Sequence, residues 1–542
     1  MSYELPQTTG PFSAIANATT SIVDWFMTRV IGPPIAAWAR RFIRRRLHDY
    51  KVRVNHVDTL LPAVLPADQA RSVAVIGGGL SGMAAAAALA ERGFSVTIYE
   101  RNDHIGGKLG AWTQGFADGT TASMEHGFHA FFPSYYNLLR FFDRTGIRKN
   151  LRRVTDYRVL MIDGTDMAFD DVETTPLLNL LHLLWRGMFD WREFFLSPQH
   201  VLLKELVDFD EHDTYEKWDR TSFEAFNKRY RVPDRLAVLF TIFARTFFAR
   251  ADQISMAAML RSFHLYYTGM EGGLLYEFAT DDHGRSVLAP MRAHIESKGG
   301  VFRTNAPVNA ISRRPDRRFD VEGEAYDYVV LATDVRTAHK LLHASTVSRE
   351  APGLVSDLAA LQPTNRYMNW RIWLDIDARP DLPPFTGTER RKVLDAVCFF
   401  HRCEAESAAW VQEHGGSVIE LHSYQIPEGL TDTAAIHEAL LDDLRWFLPE
   451  LRDAKILREV TVLRDDFTPF HVGLEKHRPK TQVGIDGLML AGDWVKIGIP
   501  AKLMEGAFTS GLMAANALSE LEQVRPEPLW SVPLHGMLRD NG

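Results

Sequence analysis

Short apolar runs bounded by glycine alternate with small-residue helical stretches over much of this chain. Residues 72–76 (Ser-Val-Ala-Val-Ile) predict a buried β-strand, and residues 95–100 (Ser-Val-Thr-Ile-Tyr-Glu) predict a second. Between them, Met83 to Arg92 is a run of helix formers closed by Gly93. Together they make a βαβ unit. Further strands are predicted from Gly299-Gly300-Val301-Phe302-Arg303, from Ala325 to Thr333, and from Gly487 to Asp493. A helix of small residues follows Pro500 and runs through Asn516.

Two regions break this rhythm. Residues 176–206 and 236–270 concentrate Leu, Met, Phe and Trp. That suits a long apolar tunnel opening at a membrane, and equally the core of a helical cap. Residues 21–50 predict two short amphipathic helices joined at Pro33-Pro34. No run there reaches about 18 uncharged apolar residues, so a spanning helix is not predicted. Positive charge follows the apolar stretch, the reverse of a signal peptide. Trp25, Phe26 and Trp38, with Arg40, Arg41, Arg44, Arg45 and Arg46, suit an anionic bilayer interface. An arm packed on its own body or on a partner subunit is the other reading.

Charge sharpens this contrast. The chain totals −8, which argues against a general nucleic-acid binder, whereas residues 1–55 hold eight Lys/Arg against three Asp/Glu. Its two cysteines, Cys398 and Cys403, form neither a disulfide framework nor a zinc site. No metal-ligand spacing joins His401, His471 and His477, so no metal is expected. Neither a Gly-x-Ser-x-Gly elbow nor a phosphate-binding Walker A loop is present.

Gly77-Gly78-Gly79-Leu80-Ser81-Gly82 lies in the turn of the βαβ unit, as Gly-x-Gly-x-x-Gly. Gly77 would make the tight turn, Gly79 would let backbone approach a pyrophosphate, and Gly82 would pack helix on strand. The phosphates would sit at the helix N-terminus near Ser81. Glu100, ending the second strand, would accept the ribose hydroxyls and repel a 2′-phosphate. This unit alone does not separate FAD from NAD.

The following segment, Arg101-Asn102-Asp103-His104-Ile105-Gly106-Gly107-Lys108, resembles the second glycine motif of FAD enzymes in the amine oxidase and carotenoid desaturase superfamily. Leu490-Ala491-Gly492-Asp493, followed by Leu503-Met504-Glu505-Gly506-Ala507, looks like its closing FAD segment. The segment Glu125-His126-Gly127-Phe128-His129-Ala130-Phe131-Phe132 resembles carotenoid desaturases of the ζ-carotene desaturase type. With Trp370–Asp375 and Gly415–His422, the likeness points nearest to isorenieratene synthases, the β-carotene desaturase/methyltransferases. It covers most of residues 71–520.

The resemblance implies an α/β, Rossmann-type FAD fold with a mixed α+β substrate domain and an N-terminal amphipathic arm. The expected order is an arm (1–70), three FAD-binding parts (71–160, 285–345 and 481–525), a helical substrate part (161–284), a second substrate part (346–480) and a tail (526–542). FAD is expected at Gly77, Gly79, Ser81, Gly82, Glu100, Arg101, Gly106, Gly107, Lys108, Val308, Gly492, Asp493 and Met504. For Lys108, a solvated surface lysine is the plainer reading. Acid–base candidates are Glu125, His126, His129 and Glu505, with His129 able to carry a proton near neutral pH.

The implied activity is FAD-dependent desaturation of a long, lipid-soluble polyene, with ring aromatisation and methyl migration as a further expectation. Another lipid, an amine or an isomerisation are the alternatives, because this superfamily shares its cofactor motifs across different chemistries. Electrons would leave to oxygen or a quinone. The expected location is the cytoplasmic face of a membrane, peripherally bound.

Overall fold

The computed structural model describes residues 32–154, 156–169, 173–179, 182, 200–232, 241–273, 275–363 and 365–539. Trp25 and Phe26 of the arm, and most of the Leu/Trp-rich stretch 180–199, lie outside them.

The predicted strands assemble into a five-stranded, all-parallel sheet. Its order is Val301–Arg303, Ser95–Tyr99, Ser72–Ile76, Tyr328–Leu331 and Leu488–Leu490. Central strands of such a sheet bury both faces, which explains the unbroken apolar runs. The 325–333 segment is not one strand. Glu324–Tyr326 belongs to a three-stranded antiparallel sheet, and the chain turns at Asp327 before Tyr328–Leu331. Asp327 marks the break because its carboxylate accepts from the Ser72 backbone N–H at 2.8 Å and from the Ser72 hydroxyl at 2.8 Å.

The helix Leu80–Ala90 is buried throughout its length. Its alanines let the C-terminal helix Leu503–Leu521 approach backbone to backbone. A Cβ added at Gly511 of that helix would lie 2.1 Å from the Ser81 carbonyl oxygen. Sequence-distant ends of the chain therefore complete one cofactor domain.

A seven-stranded sheet forms the second layer, in the order Ile456–Arg464, Tyr367–Leu374, Ser417–Ser423, Ala396–Phe399, Phe385–Thr388, Arg158–Leu160 and Asp166–Ala168. Arg158–Leu160 lies inside the stretch expected to bind FAD, yet pairs with Phe385–Thr388 of the substrate sheet. In the helical part, the described helices Phe223–Tyr230 and Met256–Phe263 pack against each other.

The described part of the expected tail, residues 526–539, is not separate from the body. Trp530–Ser531 pairs antiparallel with Val52–Arg53, and the Arg525 guanidinium donates to the carbonyls of Thr59 and Leu61. The arm forms a helix, Gly32–Arg46. Ile43 and Leu47 anchor it in the core, and three of its arginines face the body. Arg40 pairs with Glu173, Arg44 lies 2.5 Å from Glu271, and Arg46 donates to the Met537 carbonyl at 3.0 Å. The five arginines therefore do not all point toward a bilayer. Among the described residues, no helix is long and apolar enough to cross a membrane.

Candidate active site

A cavity of about 860 Å³ runs from the glycine-rich turn to the helical part. At its first end the wall is backbone. Gly77 has φ of +111°, and a Cβ there would lie 2.6 Å from the Ala332 carbonyl oxygen. At Gly82 the added Cβ would fall 1.9 Å from the Gly77 carbonyl oxygen. The second glycine motif folds back on the first: the Gly106 N–H donates to the Gly78 carbonyl at 2.8 Å, and Gly79 bridges Gly106. Gly107, at φ +58°, would bring a Cβ to 3.2 Å from the Gly79 Cα. Bare backbone thus faces the cavity at the N-terminus of a helix, where the first N–H groups lack intrahelical partners.

Side chains complete this end. Glu100 is buried and accepts from the Gly78 N–H at 2.9 Å and from the Asn102 N–H at 3.0 Å. Arg101 donates to the Thr337 hydroxyl at 3.0 Å. Ser81, Arg101 and Val308 all line the wall. Lys108 is no solvated surface lysine: its Nζ lies 2.9 Å from Asp493 Oδ2 and 5.5 Å above the Phe467 ring. Asp493 also accepts from the Thr468 hydroxyl at 2.7 Å. Burial works against its charge, but Lys108 outweighs it and holds the carboxyl below its ordinary range. Gly492, at φ +149°, donates its N–H to the Ser510 hydroxyl at 2.8 Å. Met504 brings the start of the Leu503–Leu521 helix to the same wall. All the expected FAD-binding positions except Gly82, which packs behind the turn, border this cavity. Backbone held close by these glycines at a helix N-terminus, with a strand-end carboxylate beside it, fits FAD.

The histidine motif divides. His126 and His129 face the cavity, whereas Glu125 lies behind them, outside its lining. Glu125 Oε1 accepts from the His283 backbone N–H at 2.5 Å and lies 2.9 Å from His283 Nδ1. Burial raises its pKa, but His283 and Arg371 overcome this and hold it down to about 2. It therefore anchors the motif as an anion. The His129 Nδ1 pairs with the Gly127 carbonyl at 2.8 Å, and its ring meets His283 edge-to-face. Desolvation, then His283, pushes His129 down to about 3; desolvation and Arg464 push His126 down to about 4. The expectation that His129 carries a proton near neutral pH is corrected accordingly: both rings are neutral there.

Glu505 also leaves the acid–base set. It is buried outside the cavity lining and accepts from the Asn137 N–H (2.9 Å), the Asn137 amide (2.9 Å) and the Leu138 N–H (3.1 Å). It holds the N-terminus of the Tyr136–Thr145 helix. Burial drives its carboxyl up to about 8 against those donors.

The other end of the cavity is aromatic. Phe243 stacks on Phe263 at 5.0 Å, Tyr157 on Phe169 at 4.3 Å and Phe248 on Phe467 at 4.1 Å. Tyr367, Phe385 and His422 come from the seven-stranded sheet, and Tyr424 follows its strand Ser417–Ser423. Sequence reasoning did not assign these residues to the site. The one mark among them was the place of His422 in the Gly415–His422 stretch of the resemblance; Tyr367–Leu374 and Ser417–Ser423 are buried on both faces although polar residues alternate along them.

A parallel sheet with a nucleotide cradle completed by the C-terminal helix, together with a mixed, mainly antiparallel second sheet, defines an FAD-dependent oxidoreductase. The chain belongs to the flavin-containing amine oxidoreductase family, whose family model matches residues 80–519. It is 34% identical over 490 residues to the carotenoid phi-ring synthase of Streptomyces griseus, covering 88% of this chain and 94% of that protein. It is 24% identical to the zeta-carotene desaturase of Synechocystis, covering 82% and 96%. A solved oxidoreductase from Methanosarcina mazei shares the fold at TM-score 0.61 and 16% identity, covering 83% and 100%.

Proposed function

We propose that this enzyme dehydrogenates a carotenoid and aromatises its β-ionone ring with methyl migration. The observation that carries the reading is the continuity of the cavity, glycine-lined at one end and aromatic at the other. Likeness to a carotenoid phi-ring synthase supports it. FAD, when bound, supplies the hydride acceptor. The chain's residues would do the rest. Gly77, Gly79, Gly106 and Gly107 would admit the cofactor's phosphates to the backbone, Glu100 would receive ribose hydroxyls, and Lys108 with Asp493 would supply fixed charge along the same wall. A polyene has no acidic C–H, so positive charge develops on carbon. Phe248, Phe467 and Tyr424 line the cavity where that charge would develop, and their apolar rings limit the water that would trap it.

Delivery follows from the arm. Ile35, Trp38 and Phe42 form one exposed stripe on the Gly32–Arg46 helix, with Trp38 66% exposed. At 100° per residue, Arg41 and Arg45 border this stripe, and both are exposed. Arg40 and Arg44 clamp the helix to Glu173 and Glu271, close in sequence to Asn179 and Gly273 of the cavity wall. The stripe therefore rests on the cytoplasmic face of an anionic bilayer, beside the route by which a dissolved polyene enters. A membrane quinone, or oxygen, takes the electrons.

The test is anaerobic mixing of the flavin-loaded protein with β-carotene, lycopene or an amine. Bleaching by β-carotene, with an aromatic-ring product, is expected. Bleaching by an amine alone would replace this reading.

A further inference from the structure

His422 stands in the cavity wall on the strand Ser417–Ser423, with ring centroids 6.1 Å from Phe385 and 5.7 Å from Tyr424. Its Nε2 lies 3.2 Å from Oε1 of Glu420, two residues earlier on the same face of the strand. Neither atom makes a hydrogen bond among the described residues, so the two face each other as a close charge contact rather than a formed hydrogen bond. Glu420 is fully buried, and its Oε2 accepts from Arg371 Nε at 3.0 Å. Arg371 lies directly across on the neighbouring strand, with the Phe400 ring 3.6 Å from its guanidinium carbon. Burial disfavours the Glu420 charge, but Arg371 and His422 together outweigh it and keep the carboxyl below its ordinary range.

A buried anion beside one imidazole nitrogen fixes that nitrogen as the N–H. The lone pair is left on Nδ1. His126 and His129 have no carboxylate at a ring nitrogen: the His129 Nδ1 pairs with a carbonyl, and the buried His126 Nδ1 has no hydrogen-bond partner among the described residues.

We infer that His422 is the base that takes the ring proton, with Glu420 and Arg371 as positioning residues. This rests on the carotenoid reading above. For each new double bond, one C–H bond breaks and its electron pair leaves as hydride to the flavin. The neighbouring C–H bond then gives its proton to His422 Nδ1, and its electron pair becomes the C=C bond. Migration of a methyl group with its pair between these events moves the cation and leaves the balance unchanged. The imidazolium so formed is held against Glu420.

His422→Gln should lower kcat about 100-fold, with KM for β-carotene and flavin content unchanged, as loss of a general base requires. His422→Asn should match it, guarding against a folding defect peculiar to one variant. Turnover of either variant within about threefold of wild type would overturn the inference. A second readout needs no substrate. In the 15N-histidine spectrum of the full-length protein, the resonance missing from His422→Gln should report the Nε2–H tautomer, and Glu420→Gln should shift it. An Nδ1–H tautomer would overturn the inference. Failure of wild type to act on any polyene would instead sink the substrate reading.

Discussion

The two ends of the cavity do opposite things with side chains. At the nucleotide end, the absence of side chains is the design: Gly77, Gly79, Gly106 and Gly107 bring backbone to the wall. At the substrate end, rings from the helical part and the seven-stranded sheet close the wall. The first end depends on close backbone contacts that a methyl group would violate. The second depends on apolar area and π faces, where a smaller ring or an alkyl group still fits. One end should fail abruptly on mutation and the other should degrade by degrees.

The largest effect should come from Gly82→Val. Its Cβ would fall 1.9 Å from a carbonyl oxygen, so flavin absorbance should be lost from the purified protein. A fully flavin-loaded variant would break the comparison.

Next comes acid. The imidazoles of His126 and His129 titrate at about 4 and about 3 in the folded protein, below the ordinary 6.5. The unfolded chain therefore binds protons first. Stability is full above pH 6.5 and falls as pH drops toward those values, by at most about 1.4 kcal/mol per pH unit for each ring. The Glu505 carboxyl, held up to about 8, works in the opposite sense over the same window, so the readout is the difference between wild type and variant: from pH 7 to pH 5 the melting temperature of His129→Gln should fall less, or rise more, than that of wild type. Identical pH profiles for the two proteins would contradict the buried neutral ring.

At the aromatic end, Phe248→Leu should retain flavin while slowing bleaching by β-carotene about tenfold, the scale of one desolvated π face. Loss of flavin in this variant would mean that the two ends are not separable.

The smallest effect on catalysis should come from Trp38→Ser with Phe42→Ser. Activity in detergent should be unchanged, while flotation with anionic vesicles falls several-fold, the scale expected when buried apolar area is lost from an interfacial helix. Equal flotation would place lipid contact elsewhere on the molecule.

The amino-acid sequence by itself determined the cofactor end, because its chemistry is local. A strand, a glycine turn, a helix and a strand-end acid within residues 72–100 must fold together, and the glycines carry their reason in the absence of a Cβ. What the sequence could not state is distance across the chain. Glu505 reads as an acid beside the flavin, yet the fold turns it toward the Asn137 and Leu138 N–H groups. His129 reads as a proton carrier, yet burial leaves it neutral. The arm's arginines read as one basic patch until Glu173, Glu271 and the Met537 carbonyl claim three of them. His422 reads as one more residue in a buried strand until Arg371 on the next strand makes its neighbour a fixed anion. Burial and partnership set the charge of a titratable group, and both are properties of tertiary packing rather than of residue type.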